Sequence, residues 1–245
     1  MSVRNPVAGL RELLRSPSDV RTGPQDLPPR RPAVLAATVV IGALVLAWSL
    51  RMPPGDPLFY LGTVATAIVW VAGAVLSGSA GSVRMLWSGS AQPSAGRRSG
   101  WSQALGSLVV GLLLVAVFAV AGLAVGQVPV LARPVRHLLD HADAAWLPLV
   151  AVLTAVNGVA EELFFRGALY ASVRRHDPVL FTSVVYAVVT AASGIPLLVV
   201  AAAVIGCVTA LQRQATGGLL APTVTHVTWS LGMLLLLPPL LDGPA

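Results

Sequence analysis

Lysine is absent: all sixteen basic residues are arginine. That skew, with abundant Ala, Val, Gly and Pro, fits a GC-rich bacterial genome and says nothing about activity. Cysteine is nearly absent as well. Cys207 stands alone in 245 residues, which excludes a disulfide framework and a thiolate metal cluster. Charge is scarce too, at 11% of residues, where a soluble domain carries about 25%. What fills the gap is apolar: 56% of residues are hydrophobic and the mean hydropathy is +0.79. An ordinary soluble domain is excluded. Uncharged runs of roughly 20 residues can cross a bilayer core of about 30 Å, so the chain reads as an all-α, polytopic transmembrane helical bundle. The net charge of +6 lies outside those runs, and reads as topology signal and lipid contact with no nucleic-acid partner.

Hydropathy predicts about seven spans, near 33–50, 58–76, 104–125, 146–173, 179–192, 197–212 and 219–241. Residues 1–32 form an arginine-rich tail, 33–144 the N-terminal transmembrane helices with their loops, and 145–241 a core that carries the polar motifs. The tail has no small-residue cleavage site after the first apolar run and is expected to stay attached. Residues 77–101, rich in Ser and Gly, read as a flexible linker, and 126–144 as a polar loop.

Arginine placement sets the expected sidedness. Twelve fall in the tail, the linker (Arg84, Arg97, Arg98), the hairpin (Arg174, Arg175) and at Arg213. Three, Arg51, Arg133 and Arg136, fall on the other side. The expected location is the bacterial inner membrane, multi-pass, with the N-terminus cytoplasmic.

The residues that matter most sit inside the spans. Glu161 and Glu162 are followed by Arg166 in a very apolar stretch, where each charge costs a few kcal/mol to insert and reads as functional by default. On a helix, Glu162 and Arg166 are four apart and can pair. Glu161 is rotated about 100° from that pair and shares its face with Asn157, which leaves it free for chemistry. The bland reading is that these groups only tie helices together. Three spans carry polar stripes at helical spacing: Thr154, Asn157 and Glu161; Thr182, Tyr186 and Thr190; Thr223, His226 and Ser230. Such stripes face a bundle interior. Mirroring the hairpin about its turn puts Glu161 level with Thr190, roughly 18 Å from the turn, in a layer expected to open to the cytoplasmic face. His137 and His141 can share a helical face for a metal, but two ligands make a weak site, and a solvated loop is the reading adopted.

These residues resemble the CPBP family, the CAAX-prenyl-endopeptidase and bacteriocin-processing group of intramembrane proteases. Its first motif, two glutamates followed after three residues by Arg, is matched by Glu161, Glu162 and Arg166, with Gly167 next. Its third motif, a late His with Asn four residues on, is His226 with Ser230 here. Its second, an aromatic with His four later, is Tyr186 with Thr190. The resemblance implies that Glu161 activates water for peptide hydrolysis and that His226 orients the water or stabilises the oxyanion. Glu162, Arg166, Asn157, Tyr186, Thr190 and Ser230 support them. Neither Thr190 nor Ser230 can bind zinc as imidazole does, so a metal on Glu161 and His226 would be ligand-poor. The cofactor stays open between zinc and none. The expected substrate is a prenylated, bacteriocin-like or membrane polypeptide. A catalytically inactive scaffold or partner-binding subunit of the same fold is the alternative, and a small transporter a third reading that the missing internal repeat disfavours.

Overall fold

The computed structural model describes residues 30–78, 100–143, 146–173 and 177–242. Most of the arginine-rich tail, most of the 77–101 linker and the Arg174-Arg175-His176 turn lie outside them. Eight α-helices, and no strand, occur among the described residues: α1 (Arg31–Ser49), α2 (Pro57–Leu76), α3 (Gly100–Gly126), α4 (Pro129–Asp143), α5 (Leu147–Glu162), α6 (Pro178–Ala191), α7 (Pro196–Thr216) and α8 (Leu220–Asp242). A π-helix, Leu163–Leu169, and a single 3₁₀ turn, Tyr170–Ser172, continue α5.

Prolines mark where these helices begin. One stands at the first or second position of α1, α2, α5, α6 and α7, where its fixed φ suits the helix and its missing N–H goes unnoticed. Asp56 and Asp177 cap α2 and α6 by accepting from the backbone N–H groups of Leu58, and of Val179 and Leu180. Gly217, at φ +70°, closes α7 in the left-handed conformation that glycine takes without strain.

Six helical segments are long and apolar enough to cross a membrane: α1, α2, α3, the continuous stretch Leu147–Ser172, α7 and α8. The chain is a multi-pass membrane protein. The seventh expected span is α6, whose 14 residues extend only about 21 Å, short of the hydrocarbon core. The antiparallel pairs α1 with α2 and α6 with α7 and the parallel pair α3 with α8, in register from Ser107–Thr225 to Gly122–Leu237, make the bundle, while α5 lies against α2 and α8.

The loop expected across 126–144 is instead largely helical. In α4 the apolar Ala132 and Val135 are buried while Arg133, His137 and Asp140 face outward, an amphipathic pattern that packs one face on the bundle. Val135 joins Ile195 and Leu241 in a small apolar cluster. The main core centres on Trp70, whose ring packs at a tilt against Phe164 and Phe165 at 5.1 and 5.0 Å between centroids. Trp70 reaches across to Gly42 of α1, where a Cβ would collide with the indole.

Candidate active site

Glu161 and Glu162 end α5, and the chain then widens into the π-helix. π-segments interrupt α-helices frequently at functional sites. Here every residue from Leu163 to Leu169 is buried, and the carbonyls of Arg166 and Ala168 accept hydrogen bonds from other helices. Arg213 Nε donates to Arg166 O at 3.0 Å, and Arg31 Nη2 to Ala168 O at 3.1 Å. Arg31, assigned to the tail by its charge, is therefore part of the packed interior.

The pairing read from the spacing is present. Arg166 Nη1 lies 3.3 Å from Glu162 Oε1, with both side chains fully buried. The guanidinium lacks a well-aligned hydrogen bond through that nitrogen, so the pair is held by charge more than by direction. Arg166 is otherwise fixed by donating from Nη2 to Gly206 O at 3.1 Å and by lying over the Tyr186 ring at 4.8 Å. Glu162 has a second partner that sequence spacing could not reveal: His226 Nδ1, 2.7 Å from the same Oε1. A carboxylate accepts, so Nδ1 bears the proton, and a neutral His226 then presents a lone pair at Nε2.

That Nε2 faces Glu161 Oε2 at 3.8 Å. The separation is too long for a direct hydrogen bond and short enough for one water to touch both atoms. Tyr186 Oη donates to the same Oε2 at 2.5 Å, a length typical of O–H to a carboxylate. Glu161 is 17% exposed where Glu162 is 0%, because Glu161 faces a cavity of about 230 Å³. Asn157, Thr190 and Ser230 line it together with Tyr186 and His226, so the three polar stripes do meet. Thr182 and Thr223 are not on its wall.

Two of the supporting residues spend their donors on backbone carbonyls. Asn157 spends its amide hydrogens on Thr63 O at 3.2 Å and Leu153 O at 3.0 Å, tying α5 to α2. Thr190 donates to Tyr186 O at 2.9 Å. It sits in the expected place, but Tyr186, one turn earlier, makes the contact with Glu161.

The opening differs as well. The cavity extends past Ser49, Leu50 and Phe59, toward the end of the bundle where α1 finishes and α2 begins. The opposite end, where α6 starts, is filled by the buried π-helix and its arginines. Among the described residues the expected opening on the hairpin side is therefore filled by packing. A second, apolar cavity of about 370 Å³ adjoins the first, and Phe59, Thr154, Leu198, Trp229 and Ser230 line both.

No group of three or more His, Cys, Asp and Glu able to hold a metal occurs among the described residues. Glu161 and His226 offer two donors where zinc takes about four ligands, at least three of them from protein, and His226 has its other nitrogen on Glu162. The donor set does not fit a zinc centre. The His137–His141 pair fails for a different reason. His141 is buried, with Nδ1 3.1 Å from His137 O and Nε2 3.0 Å from Met52 O, so it anchors α4 to the α1–α2 loop and is not solvated.

The geometry now has a family beside it. Residues 143–232 match the family described as Rce1-like, type II CAAX prenyl endopeptidase. No curated protein and no solved structure matches the chain. The Rce1-like segment holds both glutamates, Arg166, Tyr186, Thr190, His226 and Ser230, and it supports the resemblance drawn from the sequence. Outside it, α1 and α2 supply Leu46, Ser49, Phe59, Thr63 and Thr66 to the cavity wall. Over residues 143–232 the chain is thus similar to this family, and the cavity is completed by helices beyond the matched segment.

Proposed function

We propose that the protein is an intramembrane peptidase in which Glu161 activates water for peptide-bond hydrolysis. The observation that carries this reading is the facing of Glu161 Oε2 and His226 Nε2 across 3.8 Å at the wall of a cavity. A water held between them gives one proton to Glu161 while its oxygen attacks the scissile carbonyl carbon. The proton then passes to the departing amine as the C–N bond breaks. His226, fixed by its Nδ1–H on Glu162, orients the water, and Glu162 is in turn balanced by Arg166. The adjoining apolar cavity suits a substrate with a hydrophobic flank: a prenylated, bacteriocin-like or membrane polypeptide. The inactive-scaffold reading draws support from Thr190, whose hydroxyl is already spent on its own helix.

Turnover of a prenylated peptide and of a hydrophobic leader peptide by the purified protein in detergent tests this function. Cleavage is expected from the wild type and at least 1000-fold less from Glu161→Gln, on the order of the losses seen when a catalytic group is removed. Equal cleavage by both proteins contradicts the assignment.

The proposed location is the bacterial inner membrane with the N-terminus in the cytoplasm, on the arginine bias. Cys207 is exposed and is first replaced by Ala. In that background an impermeant thiol reagent on intact cells should label Arg133→Cys and spare Ala215→Cys. The reverse pattern inverts the topology.

A further inference from the structure

Hydrolysis needs a hydrogen-bond donor for the carbonyl oxygen as it becomes an oxyanion, and most polar groups on the cavity wall have none to give. Ser49 and Thr63 donate to Phe59 O at 3.1 and 2.8 Å, and Thr66 to Gly62 O at 2.8 Å. Thr190 donates to Tyr186 O, and both amide hydrogens of Asn157 go to backbone carbonyls. Thr154, Ser230 and Trp229, whose buried Nε1–H has no partner among the described residues, lie toward the junction with the apolar cavity, which they also line. His226 uses its Nδ1–H on Glu162 and turns a lone pair toward Glu161. The donor in direct contact with Glu161, where the chemistry is placed, is the hydroxyl of Tyr186.

We infer that Tyr186 is the oxyanion donor of this site, doing the work that an imidazole at position 190 would do; the inference rests on the peptidase reading above. In the resting site the hydroxyl donates to Glu161 Oε2. Once Glu161 has taken the proton of the attacking water, its carboxyl is neutral and holds that hydrogen bond less strongly. The electron pair of the carbonyl π bond moves onto oxygen as the water oxygen bonds to carbon, and the Tyr186 hydroxyl turns to donate to it. Tyr186 keeps its own proton throughout. When the tetrahedral centre collapses, the C–N bond breaks, the amine takes the proton from Glu161, and the hydroxyl returns to the carboxylate.

The ring is built to hold while the hydroxyl rotates. It is clamped between the Arg166 guanidinium, 4.8 Å from its centroid, and Phe165, 4.9 Å between centroids. Gly206 closes the remaining side, since a Cβ there would lie 3.2 Å from Tyr186 Cδ1. Only rotation about the C–O bond is left to the group, and a donor with that preorganisation is what transition-state stabilisation requires.

The test is a kinetic cycle of wild type, Tyr186→Phe, Thr190→His and the double variant, on the same prenylated and leader peptides. Phenylalanine keeps the ring and its packing. Tyr186→Phe is expected to lower kcat about 100- to 1000-fold, the usual loss for one oxyanion donor, with KM and the unfolding temperature unchanged. Thr190→His should recover much of that loss in the Tyr186→Phe background and add little in the wild type, because each donor serves the same oxygen. Full activity in Tyr186→Phe, or a loss carried by KM or by unfolding, overturns the assignment while the peptidase reading stands. Independent effects at the two positions overturn it as well. A wild type that cleaves neither peptide overturns the peptidase reading, and the inference with it.

Discussion

The two adjacent glutamates divide the site into two unlike halves. Glu162 belongs to the closed half: fully buried, beside Arg166, behind His226, and backed by a π-helix in which every residue is buried. Glu161 belongs to the open half, partly exposed on a cavity and touched by Tyr186. One peptide bond separates a carboxylate that serves as a structural counter-ion from one that can meet a substrate. Buried charge is stable only when paired and hydrogen-bonded, so the closed half must satisfy its groups internally. The open half can leave a lone pair for water.

Breaking the closed half should have the largest effect. Arg166→Ala strands Glu162 as an unpaired buried charge and frees Gly206 O, and is expected to lower stability by about 3–5 kcal/mol. Equilibrium unfolding in detergent measures it. A loss below about 1 kcal/mol would mean that water already reaches the pair. The open half should answer weakly to the same measurement. Ser230 lines both cavities and has no hydrogen-bond partner among the described residues, so Ser230→Ala should stay within about 0.5 kcal/mol of the wild type. A larger loss would place Ser230 in the packing and blur the contrast between the halves.

Much of the closed half was legible in the sequence, since a Glu and an Arg four apart in an apolar helix have one obvious use. The spans were legible for the same reason: apolar length is a local property, and the helix bounds fall within a few residues of the hydropathy reading. Reflection about the hairpin correctly brought position 190 to the level of Glu161. What escaped was whatever depends on contacts distant in sequence or on a change of helix type. Nothing in the residues 163–169 announces a π-helix, and without it the buried roles of Arg31 and Arg213, on carbonyls of that segment, have no warning. His226 could be placed at the right depth but not on Glu162, because depth fixes a layer and leaves the rotation about the helix axis open. The closed hairpin side follows from the same omission. The amphipathic pattern of α4 was available, with Ala132, Val135 and Leu139 opposite Arg133, His137 and Asp140; its polarity made it read as a loop.

The central claim is that Glu162 holds the fold and Glu161 is held ready for chemistry. Thermal unfolding of Glu161→Gln and Glu162→Gln, prepared side by side in the same detergent, tests it most directly and needs no substrate. Gln keeps the size of either side chain and removes its charge. The account predicts that Glu162→Gln unfolds at a clearly lower temperature, having lost the counter-ion of Arg166 and the charge on the acceptor of His226, by about 3–5 kcal/mol. Glu161→Gln, partly exposed and still able to accept from Tyr186, should unfold within about 1 kcal/mol of the wild type. Equal losses in the two variants, or a larger loss at Glu161, would contradict the division of the site.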